Sequence, residues 1–112
     1  MIGNESEVAH VLINILKNGA EAMVDLKERR LVVDVDTKSS QFVIIKIQDS
    51  GIGIAKEHLA SIFTRGFTTK DDGHGFGLSY CSQVIKKMGG ELTCASEGVG
   101  QGSCFHIRLR RL

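Results

Sequence analysis

The chain has 112 residues, of which 42% are hydrophobic, and a formal net charge of +1. That length holds one domain with a real core but not two. The near-neutral balance gives no case for a nucleic-acid or membrane-surface partner, no apolar run approaches the ~20 residues of a spanning helix, and Met1 to Ser6 lacks the apolar stretch of a signal peptide.

Asn4-Glu5-Ser6-Glu7 predicts a helix start, with Asn4 as N-cap and Glu7 at the capping-box position. The helix is expected to reach about Lys27, with Val8, Leu12, Ile15, Leu16, Ala20 and Met23 as its core stripe. Leu31 to Thr37 and Phe42 to Gln48 read as two strands of a hairpin around the turn Lys38-Ser39-Ser40-Gln41. A short helix follows from about Lys56 to Phe63, then a polar, glycine-bearing loop from Thr64 to Phe76. Gly77 to Met88 is helical, and Gly89-Gly90 ends it. Glu91 to Ser96 and Ser103 to Arg110 are strands joined by a glycine-rich loop. The order α-β-β-α-loop-α-β-β predicts an α/β fold, a two-layer sandwich with helices on one face of a mixed sheet. Cys81, Cys94 and Cys104 have no metal-ligand spacing and read best as small buried hydrophobes in a reducing compartment, the alternative being that Cys94 and Cys104 face each other across a hairpin.

The strand from Phe42 runs into Gln48-Asp49-Ser50-Gly51-Ile52-Gly53-Ile54. Asp49 belongs with Val43, Ile45 and Ile47 on the covered face of that strand, at the mouth of the core. A carboxylate there is costly without a partner. It can accept a hydrogen bond from an exocyclic amine such as adenine N6, with Gly51 and Gly53 leaving room for the ring. Asn14 and Asn18 are four residues apart on one helix face, away from the apolar stripe. Their amide oxygens suit a hard cation such as Mg2+, although such a pair is also what a solvated face looks like. Gly73, Gly75 and Gly77 open the later helix, where backbone amides and the dipole suit phosphate. Lys70, and less strongly Arg65, can reach phosphates from the preceding segment. The pattern is neither a Rossmann fingerprint nor a P-loop, and the protein-kinase HRD and DFG signatures are missing.

These motifs resemble the ATP-binding catalytic domain of bacterial two-component sensor histidine kinases, in the superfamily of gyrase, Hsp90 and MutL. Ile13 to Ala20, with Asn14 and Asn18, resembles the N box. Asp49-Ser50-Gly51-Ile52-Gly53-Ile54 resembles the G1 box, Phe63 to Lys70 the F box, and Gly73-His74-Gly75-Phe76-Gly77-Leu78 the G2 box. Gly98 to Phe105 is similar to the glycine-rich segment before the last strand. The resemblance covers nearly the whole chain, with its boxes in family order, and implies the histidine kinase ATPase-like (Bergerat) fold.

The resemblance also implies roles. Asn18 would ligate Mg2+, and Asn14 would support metal and phosphates. Asp49 would read the adenine amino group. Gly51, Gly53, Ile54, Phe67, Gly73, His74, Gly75, Phe76, Gly77 and Leu78 would line the ATP site. Lys70 would hold the triphosphate under a short lid, and with Asn14 it would make up the catalytic set. In ATP-hydrolysing relatives and serine kinases a Glu base stands at the position of Asn14, which cannot take a proton; this favours histidine as acceptor. None of His10, His58, His74 or His106 has the context of a phosphoacceptor. Residues 1–112 are therefore expected to be a catalytic fragment, monomeric alone. The sensor domain and the dimerisation (histidine phosphotransfer) domain would lie elsewhere in a homodimeric, cytoplasmic or membrane-anchored bacterial kinase that signals to a response regulator. The alternatives are a stand-alone superfamily ATPase or serine kinase, and a degenerate interaction module.

Overall fold

In the computed structural model, residues 5–63 and 77–111 are described. Helix α1 spans Glu5–Ala22, strands β1 and β2 span Leu31–Asp36 and Phe42–Asp49, and helix α2 spans Lys56–Leu59. Helix α3 spans Gly77–Lys87, and strands β3 and β4 span Glu91–Ala95 and Ser103–Arg110. The expected cap Asn4 lies outside the described residues.

The sheet order is β1-β2-β4-β3. All three pairings are antiparallel, so the parallel pairing of a mixed sheet is not found among the described strands. Ile47 faces Phe105 and Ile45 faces Ile107 across β2 and β4, while Leu92 faces Ile107 across β3 and β4. These residues line one face, and α1 and α3 cover it. Val11 and Ile15 from α1, Cys81, Val84, Ile85 and Met88 from α3 and its end, and Ile47, Leu92, Phe105, Ile107 and Leu109 from the sheet form one buried cluster. The result is a two-layer α/β sandwich. The other sheet face is polar: Arg108 pairs with Glu91 at 3.6 Å and lies 4.7 Å over the Phe42 ring.

The core stripe of α1 differs from expectation. Val11 is fully buried, whereas Ala20 is exposed. The stripe runs Val11, Ile15, Gly19 and Ala22, with Val8, Leu12 and Leu16 packed beside it. Nor does α1 continue to Lys27. The Ala22 carbonyl accepts from Ile52 N–H at 3.1 Å, which takes the acceptor a further helical turn would need. Arg29 then closes the following turn by donating to the carbonyls of Leu26 and Val24.

Helix α3 ends as its glycines predict. Gly89 has φ +80, Gly90 N–H donates to Ile85 O at 2.9 Å, and Gly89 N–H to Lys86 O at 3.0 Å; this is the Schellman pattern. All three cysteines are free. Cys94 pairs with Phe105 and Cys104 with Ala95, so the two thiols point to opposite faces of the sheet. Burial pushes the Cys81 thiol up to about 11 and the Cys94 thiol up to about 12.

Gly19 is buried inside a helix, where glycine costs up to ~1 kcal/mol relative to alanine. A Cβ there would sit 3.1 Å from Leu31 Cδ1 and 3.5 Å from Asp49 Cβ. Leu31 is 38% exposed and its side-chain tip has room to move. Gly19→Ala should therefore stabilise the domain by about 0.5 kcal/mol, read as a higher denaturation midpoint. A lower midpoint would show that the Leu31 contact cannot relax.

Candidate functional site

Asp49 ends β2 and is 4% exposed. Its Oδ1 accepts from Gly51 N–H at 2.8 Å, and its Oδ2 accepts from the Ser103 hydroxyl at 2.8 Å. It has no ion pair among the described residues. An ionised carboxylate has about four acceptor positions; two are filled here by neutral donors, and the remainder can take a further N–H. Ser103 was not singled out from sequence. Its signal was there: it shares the parity of Phe105, Ile107 and Leu109, so it is a polar residue at a core-facing position.

The two glycines of this segment do not leave open room for a ring, contrary to the sequence expectation. A Cβ on Gly51 would lie 2.7 Å from Ala22 Cβ and 2.8 Å from Asp49 Oδ1. A Cβ on Gly53, whose φ is +75, would lie 2.1 Å from Gly98 O. Both glycines let protein backbone pack against protein. The β3–β4 loop runs beside them: Gly100 N–H donates to Ile52 O at 2.6 Å, and Gly102 N–H to Gly51 O at 3.1 Å. Ile54 packs against the core. Ser50 ties the α1–β1 loop to the same place, accepting from Arg30 N–H at 2.9 Å.

Helix α1 borders Asp49 through Gly19, whose added Cβ would be 3.6 Å from Asp49 Oδ2. Asn18 is the next residue, and Asn14 lies one turn back; both are partly buried. The Cys81 thiol on α3 lies against α1, with Val11 O as its acceptor at 3.9 Å. Gly77, one turn before Cys81, is exposed, and an added Cβ would meet no described atom within 4 Å. Leu78 is partly buried against the core. Among the described residues, Asp49, the α1 asparagines and the start of α3 therefore fall in one zone along α1. His10 belongs elsewhere, with its ring 5.2 Å from that of Tyr80. Phe63 packs edge-on to Phe105, centroids 6.3 Å apart. Arg65, Phe67, Lys70, Gly73, His74, Gly75 and Phe76 lie outside the described residues.

Among the described residues no group of three or more His, Cys, Asp or Glu could hold a metal. Asp49 is turned to Gly51 and Ser103. The side-chain amide of Asn18 carries a hard oxygen donor. Such a set fits Mg2+ arriving on substrate phosphates with most of its waters, and does not fit an all-protein cage.

Comparison with known proteins agrees with this geometry. Residues 3–112 match the family model described as histidine kinase-, DNA gyrase B-, and HSP90-like ATPase. The chain is 38% identical over 108 residues to sporulation kinase C of Bacillus subtilis, covering 96% of this chain and 24% of that protein. It is 36% identical over 106 residues to sensor protein TdiS of Thauera aromatica, covering 92% of this chain and 19% of that protein. The chain thus spans about a quarter or less of the length of these relatives. Among solved structures it is similar to the mycobacterial sensor histidine kinase MprB, at 27% identity and TM-score 0.85, covering 98% of this chain and 76% of that one. The nucleotide-free catalytic domain of histidine kinase ThkA gives 26% identity and TM-score 0.82, covering 96% and 69%. The chain belongs to the histidine kinase-, DNA gyrase B- and HSP90-like ATPase family, and ATP is the ligand that this membership implies.

Proposed function

We propose that this domain binds Mg-ATP and presents the γ-phosphoryl group to a histidine on a separate dimerisation domain, in two-component signalling. The observation that carries the base end is Asp49: a 4%-exposed carboxylate held by two neutral donors, with acceptor capacity left over. Adenine offers an exocyclic amine that matches it, whereas guanine presents a carbonyl at the corresponding position.

The rest of the site follows from the zone already described. Asn18 holds the metal and Asn14 supports the phosphates. The α3 N-terminus at Gly77 and Leu78 offers backbone amides to phosphate oxygens. Lys70, with Gly73, His74, Gly75 and Phe76, completes the phosphate end, and Phe67 belongs to the same lid. Mg2+, when bound with ATP, neutralises phosphate charge. Transfer of this kind depends on positioning and charge compensation more than on covalent chemistry by the protein. The Asn14 amide has no proton-accepting group, so it offers no base to activate water or serine. A histidine acceptor needs none, because its neutral imidazole nitrogen is itself the nucleophile. The relatives are longer than this chain, so the acceptor histidine, homodimer contacts and sensor belong to the whole kinase, which signals to a separate response regulator. No helix among the described residues is long and apolar enough to cross a membrane, which is compatible with a cytoplasmic position for this domain.

Two outcomes test the reading. Asp49→Asn keeps the shape of the side chain but swaps an acceptor for a donor; it should weaken ATP binding at least about tenfold in calorimetry, with folding checked by circular dichroism. Unchanged affinity would sink the base-end assignment. Asn18→Ala should slow Mg2+-dependent phosphotransfer to a supplied dimerisation domain by at least about tenfold, while metal-free ATP affinity stays near wild type. A wild-type rate would refute the metal role.

A further inference from the structure

Ser96 directly follows β3 and lies between two loops. Its hydroxyl donates to Gly102 O at 2.7 Å and accepts from Ile54 N–H at 3.0 Å and from Gly98 N–H at 3.2 Å; Gly98 O lies further off, at 3.4 Å. A serine hydroxyl has one proton to give and two lone pairs to accept with. All three are in use, so the side chain is saturated by three backbone groups from three places in the chain. No other polar side chain could reproduce this set without a hydroxyl.

The position of these bonds matters more than their number. Residues 49–54 form a loop whose first residue is Asp49 and whose last is Ile54. Ser103 holds the first end through Asp49 Oδ2, and Ser96 holds the last end through Ile54 N–H. Between them lie the two backbone bonds from Gly100 and Gly102. Gly51 N–H, inside this loop, is one of the two donors that orient the Asp49 carboxylate. Ile52 N–H to Ala22 O and Ser50 N–H to Arg30 O keep the loop in place, so loss of the Ser96 bond frees its Ile54 end and shifts the aim of Gly51 N–H at the carboxylate without unfolding the loop. Gly53 lies close against Gly98 O, where a side chain would not fit, so the two loops move together.

We infer that Ser96 is a positioning residue for base selectivity: it fixes the loop that aims Asp49, and so sets the preference for adenine over guanine nucleotides. This rests on the nucleotide site proposed above. The phosphate end, with Asn18 and the start of α3, is held by other elements and does not depend on Ser96.

The test is calorimetric titration of Mg-ATP and Mg-GTP into the wild-type chain, Ser96→Ala and Ser96→Thr, alongside thermal unfolding. Ser96→Ala should lower the ATP-over-GTP affinity ratio about tenfold, with GTP affinity little changed, and Ser96→Thr should restore the ratio because it keeps the hydroxyl. Should Ser96→Ala not fold, Ser96→Cys carries the same comparison, since a thiol is a weak donor and acceptor. A wild-type ratio in a folded Ser96→Ala or Ser96→Cys, while the wild-type chain binds ATP selectively, would overturn the inference alone. A parallel loss of both nucleotides with no recovery by threonine would reduce Ser96 to a structural residue and also overturn it. A wild-type chain that binds neither nucleotide would remove the nucleotide site, and this inference with it.

Discussion

The structure around the site is organised by one costly group, the buried carboxylate of Asp49. A charged side chain taken out of water needs partners with good geometry. Here one is local and one distant: Gly51 from two residues on, and Ser103 from the facing position of β4. The demand propagates outward. Gly51 must lack a side chain because Ala22 and Asp49 Oδ1 occupy that space, and Gly102 must lack one because an added Cβ would lie 2.2 Å from Asp49 O. Helix α1 lies close by, with Gly19 facing the same carboxylate. Partial satisfaction leaves the carboxylate with capacity for one more donor, and a ligand amine can supply it.

The glycine clusters therefore serve two kinds of contact. Those in residues 51–53 and 98–102 let two loops lie backbone to backbone, joined by bonds at Ile52 and Gly51. Positive φ at Gly53, Gly98, Gly100 and Gly102 belongs to the same arrangement. At Gly77, by contrast, an added Cβ meets no described atom within 4 Å. The Asp49 end of the site is thus close-packed by its glycines.

The two layers of the fold divide the work. The helix-covered face of β2, β4 and β3 supplies the core, centred on Phe105, Ile107 and Ile47. Strand β1 extends beyond the helices, so Val33 and Val35 share that face yet are 51% and 58% exposed. Cys81 joins α3 to α1 through Val11 O, so the helix layer that closes the core also fixes how α1 and α3 lie against each other.

Much of this was legible in the sequence. Period-two and helical spacing located the hairpins and helices to within a few residues, Gly89-Gly90 marked a true helix end, and the parity of the β2 strand placed Asp49 on the covered face. These are local properties, written in residues a few positions apart. The sequence by itself did not show that α1 stops at Ala22, because the Ala22 carbonyl bonds Ile52 from another loop. It did not show that Ser103 and Ser96 hold the two ends of the Asp49 loop, that Val11 rather than Ala20 enters the core, or that Cys94 and Cys104 point to opposite faces. Nor did it show that Gly51 and Gly53 make room for protein backbone. Each of these depends on which strand lies beside which and on what fills the space next to a residue. Only the tertiary structure decided them, because hydrogen-bond partners and excluded volume are set by chain segments far apart in sequence.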